Sequence, residues 1–155
     1  DLGEVELKNN ISENQKNELL KNLRTFGFDL IDDRKSKTID KIKTLIIDLV
    51  QNKNNDLKTN LSEYLFQELN QDYNTLSNLF SEVENTTIEK YFINLKIEKV
   101  KELIIYDELS LSQIAYSLNY SSVSHLSNQF KKVTGFSPTH FKNIKTIKRK
   151  QIEDL

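Results

Sequence analysis

The chain has no cysteine, no methionine and no tryptophan, and its 155 residues include only three glycines and one proline. Without cysteine there is no disulfide framework and no thiolate metal site in this stretch, which suits a bacterial, cytoplasmic protein. So little glycine and proline argues against a many-turned β fold and for long helices. No apolar run approaches the ~18 residues of a membrane-spanning helix, and no secretory leader is visible. A native chain begins with Met, so a start at Asp1 with no Met anywhere leads us to expect residues upstream.

Hydrophobic residues make up 37% and charged residues 29% of the chain, enough apolar character for a folded domain with a polar surface. Net charge is only −1, but it is unevenly spread. Residues 1–60 carry eleven acids and eleven bases, residues 61–108 ten acids and four bases, and residues 109–155 seven bases and two acids. No acid occurs between Glu108 and Glu153. A neutral protein with one basic end carries the electrostatic footprint of a polyanionic partner.

Along the chain, "GEVEL" (3–7) alternates like a short strand, and Ser12 with Gln15 forms a capping box that opens a helix. Leu19, Leu20, Leu23 and Phe26 share one face of it, Gly27 ends it, and "FDLI" (28–31) reads as a second strand. Asp32 and Asp33 are expected to end that strand and solvate a turn. Ser36 precedes a helical stripe of Ile39, Ile42, Leu45, Ile46, Leu49 and Val50, and the polar run 51–60 reads as a boundary. Helices then follow in short pieces: 61–70, 73–83, a long one at 87–106 opened by a Thr86/Glu89 capping box, 111–118, one from Ser121 or Ser122 to Val133, and a last one from Thr139 towards Lys150. The stripe of the long helix is read as Ile88, Phe92, Leu95, Val100, Leu103 and Ile104. The fold class is therefore mostly α. It divides into a β-α-β module at 1–34, a helix and polar linker at 35–60, and a helical domain at 61–150.

"TLSNLF" (75–80) returns as "HLSNQF" (125–130). Leu76, Ser77, Asn78, Phe80, Val83 and Tyr91 align with Leu126, Ser127, Asn128, Phe130, Val133 and Phe141, and each phrase follows a short helix ending in Leu-Asn. Each half is a helix-turn-helix, and one long helix joins the two. Ile114-Ala115, Leu126, Phe130-Lys131-Lys132 and Gly135-Phe136-Ser137-Pro138 together resemble the DNA-binding domain of the AraC/XylS transcription regulators, over roughly residues 58–148. The first unit departs from that pattern, with Phe66 where a small residue is expected. The second has Asn119 where the turn usually carries Gly; Asn also tolerates left-handed backbone.

The resemblance implies a sequence-specific DNA-binding transcription regulator, not an enzyme, with double-stranded DNA and RNA polymerase as partners. Its second recognition helix would offer Val123, Ser124, Ser127 and Asn128 to base edges, and the first Asn74, Ser77 and Asn78. Ser122, Lys131, Lys132, Lys142 and Lys145, with Lys148, Arg149 and Lys150 beyond them, would meet phosphates. Because Glu63, Glu68, Asp72, Glu82, Glu84 and Glu89 surround the first unit, the second is expected to dominate. A bridging helix of about 19 residues would span ~28 Å, near the ~34 Å of one duplex turn.

His125 has serines but no orienting carboxylate nearby, so an enzyme reading fails; it is expected half-packed beside Leu126. His140 lacks companions for a metal site. The β-α-β module resembles the second half of a heavy-metal-associated, ferredoxin-like domain. No cofactor is expected in this chain itself, although cysteines upstream of Asp1 would supply a metal ion's ligands; otherwise the module serves to pair two copies. A third reading is an interaction module that keeps the helix-turn-helix fold without DNA specificity.

Overall fold

The computed structural model describes residues 11–28, 33–53, 57, 59–106 and 108–144. Regular structure among them is helical: α1 (Glu13–Thr25), α2 (Asp33–Gln51), α3 (Leu61–Leu69), α4 (Tyr73–Glu84), α5 (Ile88–Tyr106), α6 (Leu111–Ser117) and α7 (Val123–Thr134), with residues 138–144 also helical. The chain forms two compact units, Asp1–Ser36 and Lys37–Leu155.

In the first unit α1 opens with the expected capping box. Ser12 Oγ accepts the Gln15 N–H, and Gln15 Oε1 accepts the Ser12 N–H at 2.9 Å. Gly27 stands at φ +79° just past the helix end. No α1 side chain is buried, and Leu19, Phe26 and Phe28 are exposed. The expected strand 3–7 and residues 29–31 of the second lie outside the described residues, and Phe28 is not in a strand. No strand occurs among the described residues, so the β-α-β expectation finds no support. Of the two acids expected to end that strand, Asp32 lies outside the described residues and Asp33 begins α2, three residues before the expected Ser36 start.

The second unit holds two cores. In one, Ile39, Ile42 and Ile46 of α2 pack with Leu65 of α3, Leu76 and Phe80 of α4 and Ile88 of α5. From Lys37 onward, then, α2 belongs to the first helix-turn-helix rather than to a linker outside it. In the other core, Ile97, Val100 and Ile104 of α5 pack with Ile114, Ala115, Leu118, Tyr120, Leu126 and Phe130. The fifty-residue repeat extends to ring packing: Phe80 meets Tyr91, and Phe130 meets Phe141, each at 5.5 Å between centroids.

Helix α5 serves both cores with different faces. Ile88, Tyr91, Phe92 and Leu95 belong to the first core, while Ile93, Ile97, Val100 and Ile104 belong to the second. At about 100° per residue these sets fall on roughly opposite sides. The single stripe read from the sequence thus resolves into two. The helix starts on Thr87, whose Oγ1 accepts the Lys90 N–H at 3.1 Å, not on the expected Thr86/Glu89 box. Glu89 is engaged elsewhere, its carboxylate accepting the Tyr73 hydroxyl. That bond holds Glu89 below the usual carboxylate range.

Scarce glycine is answered by asparagine. Asn70, Asn85 and Asn119 hold left-handed backbone at φ +50°, +52° and +56°, ending α3, ending α4 and turning the chain after α6. Asn119→Val is expected to cost about 1–2 kcal/mol more than Asn119→Gly, which keeps the left-handed backbone open; urea titration of both variants checks this, and equal losses would contradict it.

Lys96 is the one charged residue buried among those described. It lies between the cores, its Nζ 3.8 Å from the Tyr120 ring centroid and 5.7 Å from that of Phe92. The aromatic faces stabilise the ammonium, but burial dominates and brings its pKa down to about 8. An unfolded lysine titrates near 10.4, so between these values the unfolded chain holds more protons and stability rises with pH. Lys96→Met is expected to be more stable than wild type at pH 7 by about 1–2 kcal/mol, with the gap narrowing from pH 8 to 10. Denaturation at pH 7 and 9.5 measures it; a constant gap would contradict the assignment.

Candidate nucleic-acid interface

Each helix-turn-helix sets its second helix by the same means. In the first unit α3 packs on α4, and in the second α6 packs on α7, while α5 touches α4, α6 and α7. Asp72 caps α4 by accepting the Thr75 N–H at 3.1 Å. Ser122 caps α7 by accepting the His125 N–H at 3.0 Å, and Gly135 closes it at φ +81°. Ala115, 3% exposed, lies in the core beneath α7, as a close helix crossing requires. Phe66, expected in the matching place, is nearly half exposed, and the neighbouring Leu65 fills the core instead.

Burial follows the same order through both phrases. At 71–80 and 121–130 every matched pair has the same exposure: Leu76 and Leu126 buried, Phe80 and Phe130 buried, Ser77 and Ser127 half-buried, Asn78 and Asn128 exposed. The outward face of α7 carries Ser124, His125, Asn128, Lys131 and Lys132, and that of α4 carries Asn74, Thr75, Asn78 and Glu82. These positions recur at one-turn intervals along each helix.

Of the residues expected at base edges, Ser124, Asn128, Asn74 and Asn78 are exposed and Ser127 and Ser77 half-buried. Val123 is half-buried and packs against the second core. Among the phosphate candidates, Ser122, Lys131 and Lys132 are exposed and Lys142 is half-buried, while Lys145 and residues 148–150 lie outside the described residues. Two residues of the outward faces were missed. Thr75 was not singled out, and His125, expected half-packed, is exposed with its ring edge on Tyr120. Their signal was spacing: each precedes its unit's Asn by three residues.

The acidic setting of the first unit is partly answered by α2. Lys43 Nζ lies 2.7 Å from Glu84 Oε1, and Asp72 is engaged as a helix cap. Glu63, which accepts from Gln67 Nε2 at 3.0 Å, and Glu68 and Glu82 stand on exposed positions. On α7 the two lysines stand in the last turn, where the helix dipole favours cations. No group of three or more His, Cys, Asp and Glu side chains that could hold a metal ion occurs among the described residues, and no described helix is long and apolar enough to cross a membrane.

A family model described as a helix-turn-helix domain matches residues 65–144, spanning both units. No curated protein matches the chain in sequence. Among solved structures, the C-terminal domain of AraT, a response regulator from Geobacillus stearothermophilus, is similar at 22% identity and TM-score 0.60, covering 69% of this chain and 84% of that one. A DNA-binding transcriptional dual regulator from Escherichia coli K-12 is similar at 23% identity and TM-score 0.56, covering 68% and 92%. The DNA-binding domain of AdpA, a global transcriptional factor solved with a target DNA, is similar at 14% identity and TM-score 0.58, covering 77% and 99%. With two helix-turn-helix units on one bridging helix and the family match running through both, the chain belongs to the AraC-type helix-turn-helix family of DNA-binding transcription regulators.

Proposed function

We propose that the chain binds double-stranded DNA sequence-specifically, presenting α4 and α7 to successive major-groove segments with α7 dominant. One observation carries this reading: the exposed polar face recurs fifty residues apart with matched burial. Short polar side chains on such a face can hydrogen-bond base edges, and Asn can pair bidentately with adenine. Dominance of α7 rests on charge, because Lys131 and Lys132 extend its outward face whereas Glu82 sits in that place on α4. Ser122 and Lys142, with Lys145, would add phosphate contacts that set orientation rather than sequence. The 19-residue length of α5 gives a rise of ~28 Å, compatible with sites about one duplex turn apart.

A signal input, or pairing of two copies, belongs in this reading to the residues before Lys37, where Leu19, Phe26 and Phe28 are exposed. RNA polymerase is a further partner in this reading.

Selection from a randomised duplex library followed by titration tests the reading. Asn128→Ala should weaken binding to the selected site about tenfold or more, and Asn78→Ala less. Replacing both Lys131 and Lys132 by Ala should weaken binding to all sequences and lower the salt slope by about 2. Loss of binding with Asn78→Ala but not Asn128→Ala would reverse the ranking. Selection of no sequence at all would favour the protein-interaction alternative.

A further inference from the structure

The two units differ at one place that the repeat conceals. Between the left-handed Asn and the N-cap, the first turn has one residue, Gln71, and the second has two, Tyr120 and Ser121. The phrases are therefore fifty residues apart, while the turn asparagines 70 and 119 are forty-nine apart. Both residues of the longer turn hold His125. Ser121 Oγ lies 3.0 Å from His125 Nδ1, and the Tyr120 ring meets the imidazole edge-to-face at 5.3 Å and 84°. Tyr120 is itself fixed: it is 7% exposed, its hydroxyl donates to Gln129 Oε1 at 2.8 Å, and Lys96 Nζ sits over its ring.

We infer that His125 is a specificity-determining residue of the second unit, held in register by the extra turn residue. The inference rests on the DNA-binding reading. His125 is exposed on the same outward face as Ser124 and Asn128. The Ser121 hydroxyl can donate to Nδ1 across this 3.0 Å contact, and that tautomer is the one proposed. In the neutral ring Nε2 then carries the hydrogen and is a donor. A fixed donor on a major-groove face selects acceptors, namely guanine N7 or O6, adenine N7 or thymine O4, and rejects the cytosine amino group. Pre-orientation matters because a ring already held loses less freedom on binding. The corresponding residue of the first unit, Thr75, likewise gives its N–H to its cap, but its side chain turns back too, with Oγ1 3.4 Å from the Asp72 carboxylate. Only the second unit therefore carries an aromatic donor braced from its own turn.

The test is duplex-library selection with the 155-residue chain, its His125→Ala variant and its Ser121→Ala variant, all checked for helicity. Wild type should show a base-pair column within the α7 half of the motif that rejects cytosine at the contacted base. His125→Ala should lower discrimination at that column about tenfold and leave the other columns in place. Ser121→Ala, which keeps the ring but releases Nδ1, should lower discrimination at the same column by a smaller factor. An unchanged motif with His125→Ala overturns the inference, and full discrimination with Ser121→Ala overturns the bracing. Failure of wild type to select any motif would instead sink the DNA-binding reading on which the inference stands. If His125→Ala loses helicity, His125→Gln supplies the comparison: it keeps a donor but not the aromatic brace, and an unchanged column preference with unchanged strength again overturns the role.

Discussion

Burial of a Leu and a Phe one turn apart, Leu76 with Phe80 and Leu126 with Phe130, decides which face of each second helix turns outward. All four are fully buried, and each Phe is met by a ring from the following helix, Tyr91 or Phe141. A fully buried Phe contributes about 1.5–3 kcal/mol, so rotating either helix by a fraction of a turn would expose much of its core. With the inner face fixed, the polar positions between the anchors have no freedom about where they point. Ser124 and Asn128 are exposed because Leu126 and Phe130 are not.

The bridge between the units obeys a second constraint. Helix α5 supplies Ile88 to one core and Ile97, Val100 and Ile104 to the other, on nearly opposite faces. A continuous helix does not bend cheaply between its ends, so the two cores are spaced by helical rise. Lys96 lies where the faces meet, and its aliphatic stem can cover apolar surface while its ammonium lies over Tyr120. The desolvation that lowers its pKa is the cost of filling that junction with a charged residue. Tyr120 in turn links the junction to α7 through Gln129.

Much of this was legible in the residues. The helix starts at Ser12 and Ser110 followed from Ser-x-x-Gln, and both capping boxes form. The repeat of Leu, Ser, Asn and Phe positions gave the two units and their buried anchors. Three features were not legible. The two stripes of α5 merge in the sequence because apolar residues recur on both faces, and only the partner cores separate them. The place of α2 depends on long-range packing of Ile39, Ile42 and Ile46, which a following polar run disguises. His125 reads as a flank of Leu126, and its exposure became visible only with the turn that holds it. Val123, expected at base edges, is half-buried and also packs against the second core. The strand reading at 3–7 rested on alternation over five residues and, like residues 29–31 of the second strand reading, falls outside the described residues.

The central claim is that α4 and α7 engage one duplex together, unequally, at a spacing set by α5. Guanine-methylation and missing-base interference on the selected site measures this directly. The account predicts two clusters of major-groove interference on one face of the duplex, centred about one helical turn apart, with the stronger cluster moving to background in Asn128→Ala. A single cluster, or two of equal strength that both survive that substitution, would contradict it.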